Sequence, residues 1–358
     1  MKRLAAAALL TLFALPAMAA YECRHVDVVS TLTGVKLAGI EDLAYHPPSG
    51  NLILSVHDRW GDRDGRFEAQ WGLFRLPLDQ LETGQSSVRA DPARKGEAFL
   101  DEMKPHGIAL RQIDDGSWRL LVINHRFLEE ESGPLGLPGT MIEEFEVDPE
   151  GHLTALRSVG HPALCPANDL DWIDGDRALV SLDRTNCGGL SRFLELARGQ
   201  WRGRLAIVDL AGGGEPFVLA EKLGFPNGVA VRDDETFVAF SREERLARYR
   251  LTADGLVETG SWPLNGGGDN LAFDSAGRLL LAVHPDLFDF GLYTLRVWGF
   301  GSAPTRMVRF SPDGEEREIL LESQDGKPLS GVTSFVEARD LLVGGAAFDE
   351  GIAVCEEK

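Results

Sequence analysis

Short apolar runs recur in pairs along this chain, each pair hinged by turn residues. Leu43–Tyr45 and Asn51–Val56 flank His46-Pro47-Pro48-Ser49-Gly50, and Ile108–Gln112 and Trp118–Asn124 flank Asp114-Asp115-Gly116. The unit returns as Leu170–Ile173 with Ala178–Leu182, Val229–Val231 with Thr236–Phe240, and Leu271–Phe273 with Leu279–Val283. Runs of this length, rich in Val, Ile, Leu and Phe and bounded by Gly, Pro and Asp, predict strands. Their apolar residues are consecutive rather than alternating, so both faces of each strand should be covered by neighbours. Further turns at Asp148–Gly151, Ala253–Gly255 and Ser311–Gly314 separate outer strands. Helical spacing is nearly confined to Leu190–Trp201, where Leu190, Phe193, Leu194, Ala197 and Trp201 share a face. That segment reads as a helix on one end of the fold, where it could wall or cover a site.

A polar phrase heads each pair. The copies are GIEDLAY (Glu41, Asp42), PHGIAL (His106), ANDLDW (Asn168, Asp169), PNGVAV (Asn227), GDNLAF (Asp269, Asn270) and SGVTSF (Thr333). Repetition at this period, with two strands visible per copy, predicts an all-β six-bladed β-propeller. The first strand of each blade lines the central channel, so the polar heads should converge. They supply carboxylate and amide oxygens, which are hard donors suited to calcium. One Asn or Asp at a strand start is ordinary turn capping; a set at matching places in several repeats is not. Adjacent side chains on a strand face opposite ways, which separates Glu41 from Asp42 and Asn168 from Asp169. Two calcium ions follow. The first would take Glu41, Asn168, Asn227, Asp269 and Asn270. The second would take Asp42, Asp169 and the backbone carbonyl of Ile108. Asp269 and Asn270 can serve one ion only if their strand start departs from simple alternation.

Two histidines extend this picture. His106 opens one first strand, and His125 ends the strand that follows it, so the two should meet at the channel end as a base and its orienting partner. His284 stands at the equivalent place in the fifth repeat and should line the pocket. His46, His57, His152 and His161 lie in turn-like contexts and are assigned no role. The chain carries no G-x-S-x-G elbow, H-E-x-x-H helix or paired C-x-x-C.

Composition narrows the setting. Lys2 and Arg3, the apolar run Leu4–Leu15 and Ala17-Met18-Ala19 read as a signal peptide over residues 1–19, leaving one propeller domain over 20–358. The net charge of −20 argues against nucleic acid and anionic membranes as partners. No stable membrane anchor is expected, and the destination is periplasmic or secreted. Four cysteines in an exported chain suggest two disulfides. A propeller brings its ends into one closing blade, which favours Cys23 with Cys355; Cys165 and Cys187 flank one strand-turn-strand unit and would pair with each other.

The phrases GIEDL, PHGI, Asn124-His125, ANDL, FPNG, GGDNLAFD, HPD and the closing AVCE run in order over nearly the whole chain past the signal. In this the sequence resembles the paraoxonase/arylesterase family, which belongs with the calcium-dependent six-bladed propellers that include gluconolactonases. The resemblance implies a catalytic calcium on Glu41, Asn168, Asn227, Asp269 and Asn270, and a structural calcium on Asp42, Asp169 and the Ile108 carbonyl. It also implies a His106–His125 dyad, His284 in the pocket and Cys23–Cys355 closing the ring. The implied activity is hydrolysis of a carboxylic ester, a lactone or aryl ester. The Cys165–Cys187 pair lies outside the family's pattern. A sugar lactonase and a non-catalytic, calcium-stabilised binding propeller are the alternatives.

Overall fold

The computed structural model describes residues 21–94, 103–113, 115–126, 139–187, 202–252 and 255–358. The signal segment over 1–19 and the Leu190–Trp201 helix lie outside the described residues.

Twenty-four strands make up nearly all of the regular structure described. The first five are β1 (Tyr21–Ser30), β2 (Ala38–His46), β3 (Asn51–His57), β4 (Trp71–Pro77) and β5 (Ser87–Pro92). One four-stranded sheet follows as β6 (Pro105–Gln112), β7 (Trp118–Asn124), β8 (Met141–Val147) and β9 (Leu153–Gly160). A second is β10 (Ala167–Trp172), β11 (Arg177–Leu182), β12 (Gly203–Asp209) and β13 (Phe217–Leu223). A third is β14 (Pro226–Arg232), β15 (Glu235–Phe240), β16 (Arg245–Thr252) and β17 (Gly255–Pro263). A fourth is β18 (Gly267–Phe273), β19 (Leu279–His284), β20 (Thr305–Phe310) and β21 (Arg317–Ser323). The chain ends in β22 (Val332–Ala338), β23 (Leu341–Glu350) and β24 (Ile352–Glu357).

Each four-stranded sheet is an antiparallel meander in sequence order. The remaining strands join in one eight-stranded sheet, β2-β3-β4-β5-β1-β24-β23-β22, which also pairs β2 with β23. β1 stitches it: it runs antiparallel to β24 with Cys23 opposite Cys355, and parallel to β5 from Asp27 to Ser30. First strands pack side by side, β2 on β6, β6 on β10, β10 on β14, β14 on β18, β18 on β22 and β22 back on β2. The ring therefore closes through the chain's own two ends.

Burial explains why the second strands carry the strongest apolar signal. Every residue of β3 and of β19 is buried, because neighbouring sheets cover both faces. Outermost strands such as β13 and β9 are largely solvent-facing, which is why their sequences show little pattern. The core is correspondingly divided into clusters between adjacent sheets, one built on Leu52, Leu54, Phe74 and Val343 and another on Phe237, Leu281 and Phe310.

Both disulfides join as anticipated, Cys23 to Cys355 and Cys165 to Cys187, the mark of an oxidising compartment. No described helix is long and apolar enough to cross a membrane. Among the described residues three short α-helices escaped the sequence pattern: α1 (Arg59–Asp64), α2 (Asp79–Glu82) and α3 (Leu287–Thr294). α1 and α3 start on caps, Asp58 accepting from the Gly61 N–H and Asp286 from those of Phe288 and Asp289.

Candidate functional site

All six first strands break register at their polar heads. The shift falls between Ile40 and Asp42 in β2, Pro105 and Ile108 in β6, and Ala167 and Leu170 in β10. It falls between Pro226 and Val229 in β14, Gly268 and Leu271 in β18, and Val332 and Ser334 in β22. These are β-bulges, which re-aim side chains locally. In β18 the bulge takes in Asp269 and Asn270, so simple alternation does not hold there. Close backbone approach accompanies them: a Cβ on Gly228 would lie 2.3 Å from the Asp269 carbonyl oxygen, and one on Gly107 would lie 2.5 Å from Asp169 Oδ1. Glycine is required at both places so that neighbouring strand heads can touch.

The two histidines meet. His106 Nδ1 lies 3.0 Å from His125 Nε2, and His125 Nδ1 lies 2.9 Å from the Thr140 hydroxyl. At the other end His106 Nε2 sits 2.5 Å from Glu41 Oε1. Glu41 also accepts a hydrogen bond from the Arg59 guanidinium, which reaches in from α1. Burial works to raise the Glu41 carboxyl, but Arg59 and His106 overcome it and hold the group down at about 2. Glu41 is thus ionised, and the contact to His106 places a proton on Nε2. With His106 neutral, its Nδ1 accepts from His125. Burial, with His106, Arg184 and Arg59 nearby, pushes His125 well below the usual histidine range, so it stays neutral. Four side chains form one hydrogen-bonded row.

The oxygen donors lie beside this row and are all buried. Asp42 accepts the Leu43 N–H at 2.9 Å and the Ile108 N–H at 2.8 Å, tying β2 to β6. Asp169 accepts the Val229 N–H at 2.8 Å, tying β10 to β14. Burial raises both carboxyls; Asp42 pushes Asp169 up by charge repulsion, and Glu41 and Asp269 do the same to Asp42. Two of the amide nitrogens are occupied, Asn168 donating to Asp183 Oδ2 at 3.4 Å and Asn227 to the Ser241 hydroxyl at 3.2 Å. Their orientation leaves oxygens over. Asn227 Oδ1, Asp183 Oδ1 and both amide atoms of Asn270 are buried without a hydrogen-bond partner.

A buried polar atom without a partner costs roughly 1–3 kcal/mol, and repelling carboxylates add to that. A divalent cation would answer both, so the residues fit calcium. Among the described residues no three His, Cys, Asp or Glu side chains group as ligands; the set anticipated for the first ion has only two carboxylates and depends on Asn oxygens. The Ile108 residue reaches Asp42 through its N–H.

His284 contacts the same cluster. Its Nε2 is 2.7 Å from Asp269 Oδ2, and its ring stacks on Phe290 at 3.8 Å between centroids. Phe290 meets Phe348, which meets Trp60, which meets Tyr293. An aromatic wall therefore flanks the polar site.

Arg59, Thr140, Asp183, Ser241 and this wall were not anticipated. A signal for two of them existed. Second strands run antiparallel to the first and return to the same end, so residues closing them join the heads; Asp183 and Ser241 stand where His125 and His284 stand. Two dismissed histidines also belong to strands rather than turns. His57 closes β3 and bonds Asp62 at 2.9 Å, and His46 closes β2 edge-on to Trp118.

No family model matches the chain, and no curated protein matches it. Among solved structures it is similar to a luciferin-regenerating enzyme, at 13% identity and a TM-score of 0.53 over 94% of this chain and 95% of that one. The PQQ-bound aldose sugar dehydrogenase of Streptomyces coelicolor is similar at 15% identity and 0.52, over 94% and 98%. A candidate gluconolactonase is similar at 15% identity and 0.51, over 94% and 92%. The fold is all-β and propeller-like. Likeness at these identities carries the fold alone.

Proposed function

We propose that this chain is an exported, calcium-dependent hydrolase of carboxylic esters, a lactonase or arylesterase akin to the paraoxonases, on a six-bladed propeller. The blade count is supported by the eight-stranded sheet dividing into two meanders, β2–β5 and β22–β24 completed by β1. Added to the four separate sheets, these make six. The catalytic reading is carried by one observation: the row Glu41–His106–His125–Thr140 stands at strand bulges beside buried amide oxygens without partners.

Glu41, Asn168, Asn227, Asp269 and Asn270 would hold one calcium, and Asp42, Asp169 and Ile108 a second. When bound, calcium polarises an ester carbonyl and offsets charge developing on its oxygen. His106 does the proton work. Glu41 must give up its contact for Nε2 to become an acceptor. The row then reverses, with His106 Nδ1 donating to His125 and His125 Nδ1 to Thr140, whose hydroxyl can accept as well as donate. His106 Nε2 takes a proton from water as its oxygen bonds to the carbonyl carbon. Collapse of the tetrahedral adduct breaks the ester C–O bond, and His106 returns the proton to the leaving alkoxide. A lactone opens to its hydroxy acid.

The aromatic wall of Phe290, Phe348 and Trp60 favours an apolar acyl or aryl group over a sugar. Likeness to a candidate gluconolactonase makes the sugar lactone the comparison to run. Initial rates on acyl lactones, gluconolactone and phenyl acetate should be measured with calcium, after chelation, and after calcium is restored with the fold verified by circular dichroism. Turnover that returns with calcium, highest on acyl or aryl substrates, is expected. No turnover on any substrate, with calcium still raising the melting temperature, would replace the enzyme by a calcium-stabilised binding propeller. His106→Gln should lower kcat/KM for lactones by about 10²-fold or more and affect phenyl acetate less, because its better leaving group needs less help. Unchanged lactonase activity in that variant would refute the role of the row.

A further inference from the structure

Downstream of the bulges the six first strands enclose a cavity of about 760 Å³. Its floor is Asp42, Ile108, Asp169 and Asn270, and its mouth is formed where the strands turn, near Pro47, Asp233 and Ser275. None of Glu41, His106, His125 or His284 lines it. The channel thus opens at the end away from the histidine row, and the opening ends on the oxygen donors.

We infer that this far cavity is the route by which the channel's calcium enters and leaves, with Asp171 the carboxylate that the ion passes. The inference rests on the calcium reading above and concerns exchange, not turnover. Two features carry it. Asn270 lies at the floor, is only 3% exposed, and has neither amide atom hydrogen-bonded, so a polar group is left facing this space with nothing to bind. The tier above the floor, by strand alternation, is Ala44, Leu110, Asp171, Val231, Ala272 and Val336, all of which line the cavity. Five of these are apolar and one is charged. Asp171 is fixed in place by accepting the Trp172 N–H and the Val231 N–H, each at 2.7 Å, one on each carboxylate oxygen. Each oxygen retains a lone pair. A single carboxylate in an otherwise apolar tier lowers the barrier for a cation without holding it as a full ligand set would. Three arginines line the cavity, Arg111, Arg232 and Arg339, of which Arg232 is tied to the Gly277 carbonyl and Arg339 to Glu82.

The route has a kinetic signature that damage to the site cannot imitate. Narrowing a passage slows entry and exit by one factor and leaves affinity unchanged, whereas a damaged site releases its ion faster. Calcium-loaded protein should be mixed with a fluorescent chelator in a stopped-flow instrument, and calcium uptake followed in the converse experiment. Ala44→Phe, with Ala272→Leu as a second plug from the other side, should slow both release and uptake about tenfold at near-constant affinity, equivalent to roughly 1.4 kcal/mol of barrier. Asp171→Asn should slow both as well, with circular dichroism confirming the fold. Release at the parental rate in folded plug variants would overturn the route while leaving the calcium reading intact. Failure of the parent protein to bind calcium at all would overturn both.

Discussion

The head and the remainder of each first strand obey different rules. Past the break the ladder is regular: Leu43–His46 face Leu54–Asn51, and Leu271–Phe273 face Leu281–Leu279. Pairs between second and third strands, such as β3 with β4 and β15 with β16, run without a shift. At the heads the register slips, the residues are polar, and several buried atoms lack partners. Outer pairs also shift register, β12 with β13 for example, so a bulge alone does not mark a site. Bulges filled with buried, unsatisfied polar groups do. Apolar ladders supply stability, and the heads give some of it up to hold chemistry in place.

The largest effect should come from the regular part. Phe74→Ala, at a fully buried position on β4, should cost about 3–5 kcal/mol of unfolding free energy, measured by urea denaturation. Turnover per folded molecule should not change. A loss of turnover in the folded fraction would break the division between the two parts. A smaller effect is expected where the irregular end is well satisfied. Asp62 on α1 accepts from His57 and pairs with Lys104 at 2.7 Å. The His57 hydrogen bond, with Lys104, outweighs burial and holds the carboxyl at about 2 against an ordinary 3.8. A depressed carboxyl stabilises the fold above its unfolded value and loses that as pH falls through about 2. Asp62→Asn should therefore cost about 2 kcal/mol at pH 7, with the difference from the parent closing between pH 4 and pH 2. A gap that stays constant with pH would mean that the ion pair contributes nothing.

The part of this molecule legible in its sequence is the part where one residue decides a local event. Apolar second strands such as Leu279–His284 announced themselves because burial on both faces excludes polar residues. Strand heads were legible because Glu41, Asn168 and Asp269 are costly to bury without a purpose. Cys23 and Cys355 could be paired from ring closure. What stayed hidden depends on distance in three dimensions. Arg59 reaches Glu41 from a six-residue helix whose start is set by one Asp58 cap, too short for periodicity to reveal. Thr140 is an unremarkable threonine until His125 is placed beside it. The aromatic wall draws Trp60, Phe290 and Phe348 from segments far apart in the chain. Outer strands face solvent and lack a pattern for the same reason that they tolerate any polar residue.

The smallest predicted effect tests the contrast most directly, because it goes the opposite way to ordinary mutations. Asn270 and Leu271 are neighbours on β18, the first inside the register break and the second where regular pairing resumes. Asn270 is buried with both amide atoms unbonded, so in chelator it contributes desolvation cost and little else. Asn270→Leu exchanges that amide for an apolar side chain of comparable size. Removing an unsatisfied buried group should stabilise the calcium-free protein by about 1–2 kcal/mol. Under the proposed function the same change removes a calcium ligand, so the calcium-induced rise in melting temperature should shrink, and with it lactone turnover. Thermal unfolding in chelator and in calcium measures both terms on one sample. A variant destabilised in chelator as a core truncation would be must contain an amide that the fold itself uses. The division of each strand into a stabilising stretch and a functional head would then fail at the residue where it is drawn most sharply.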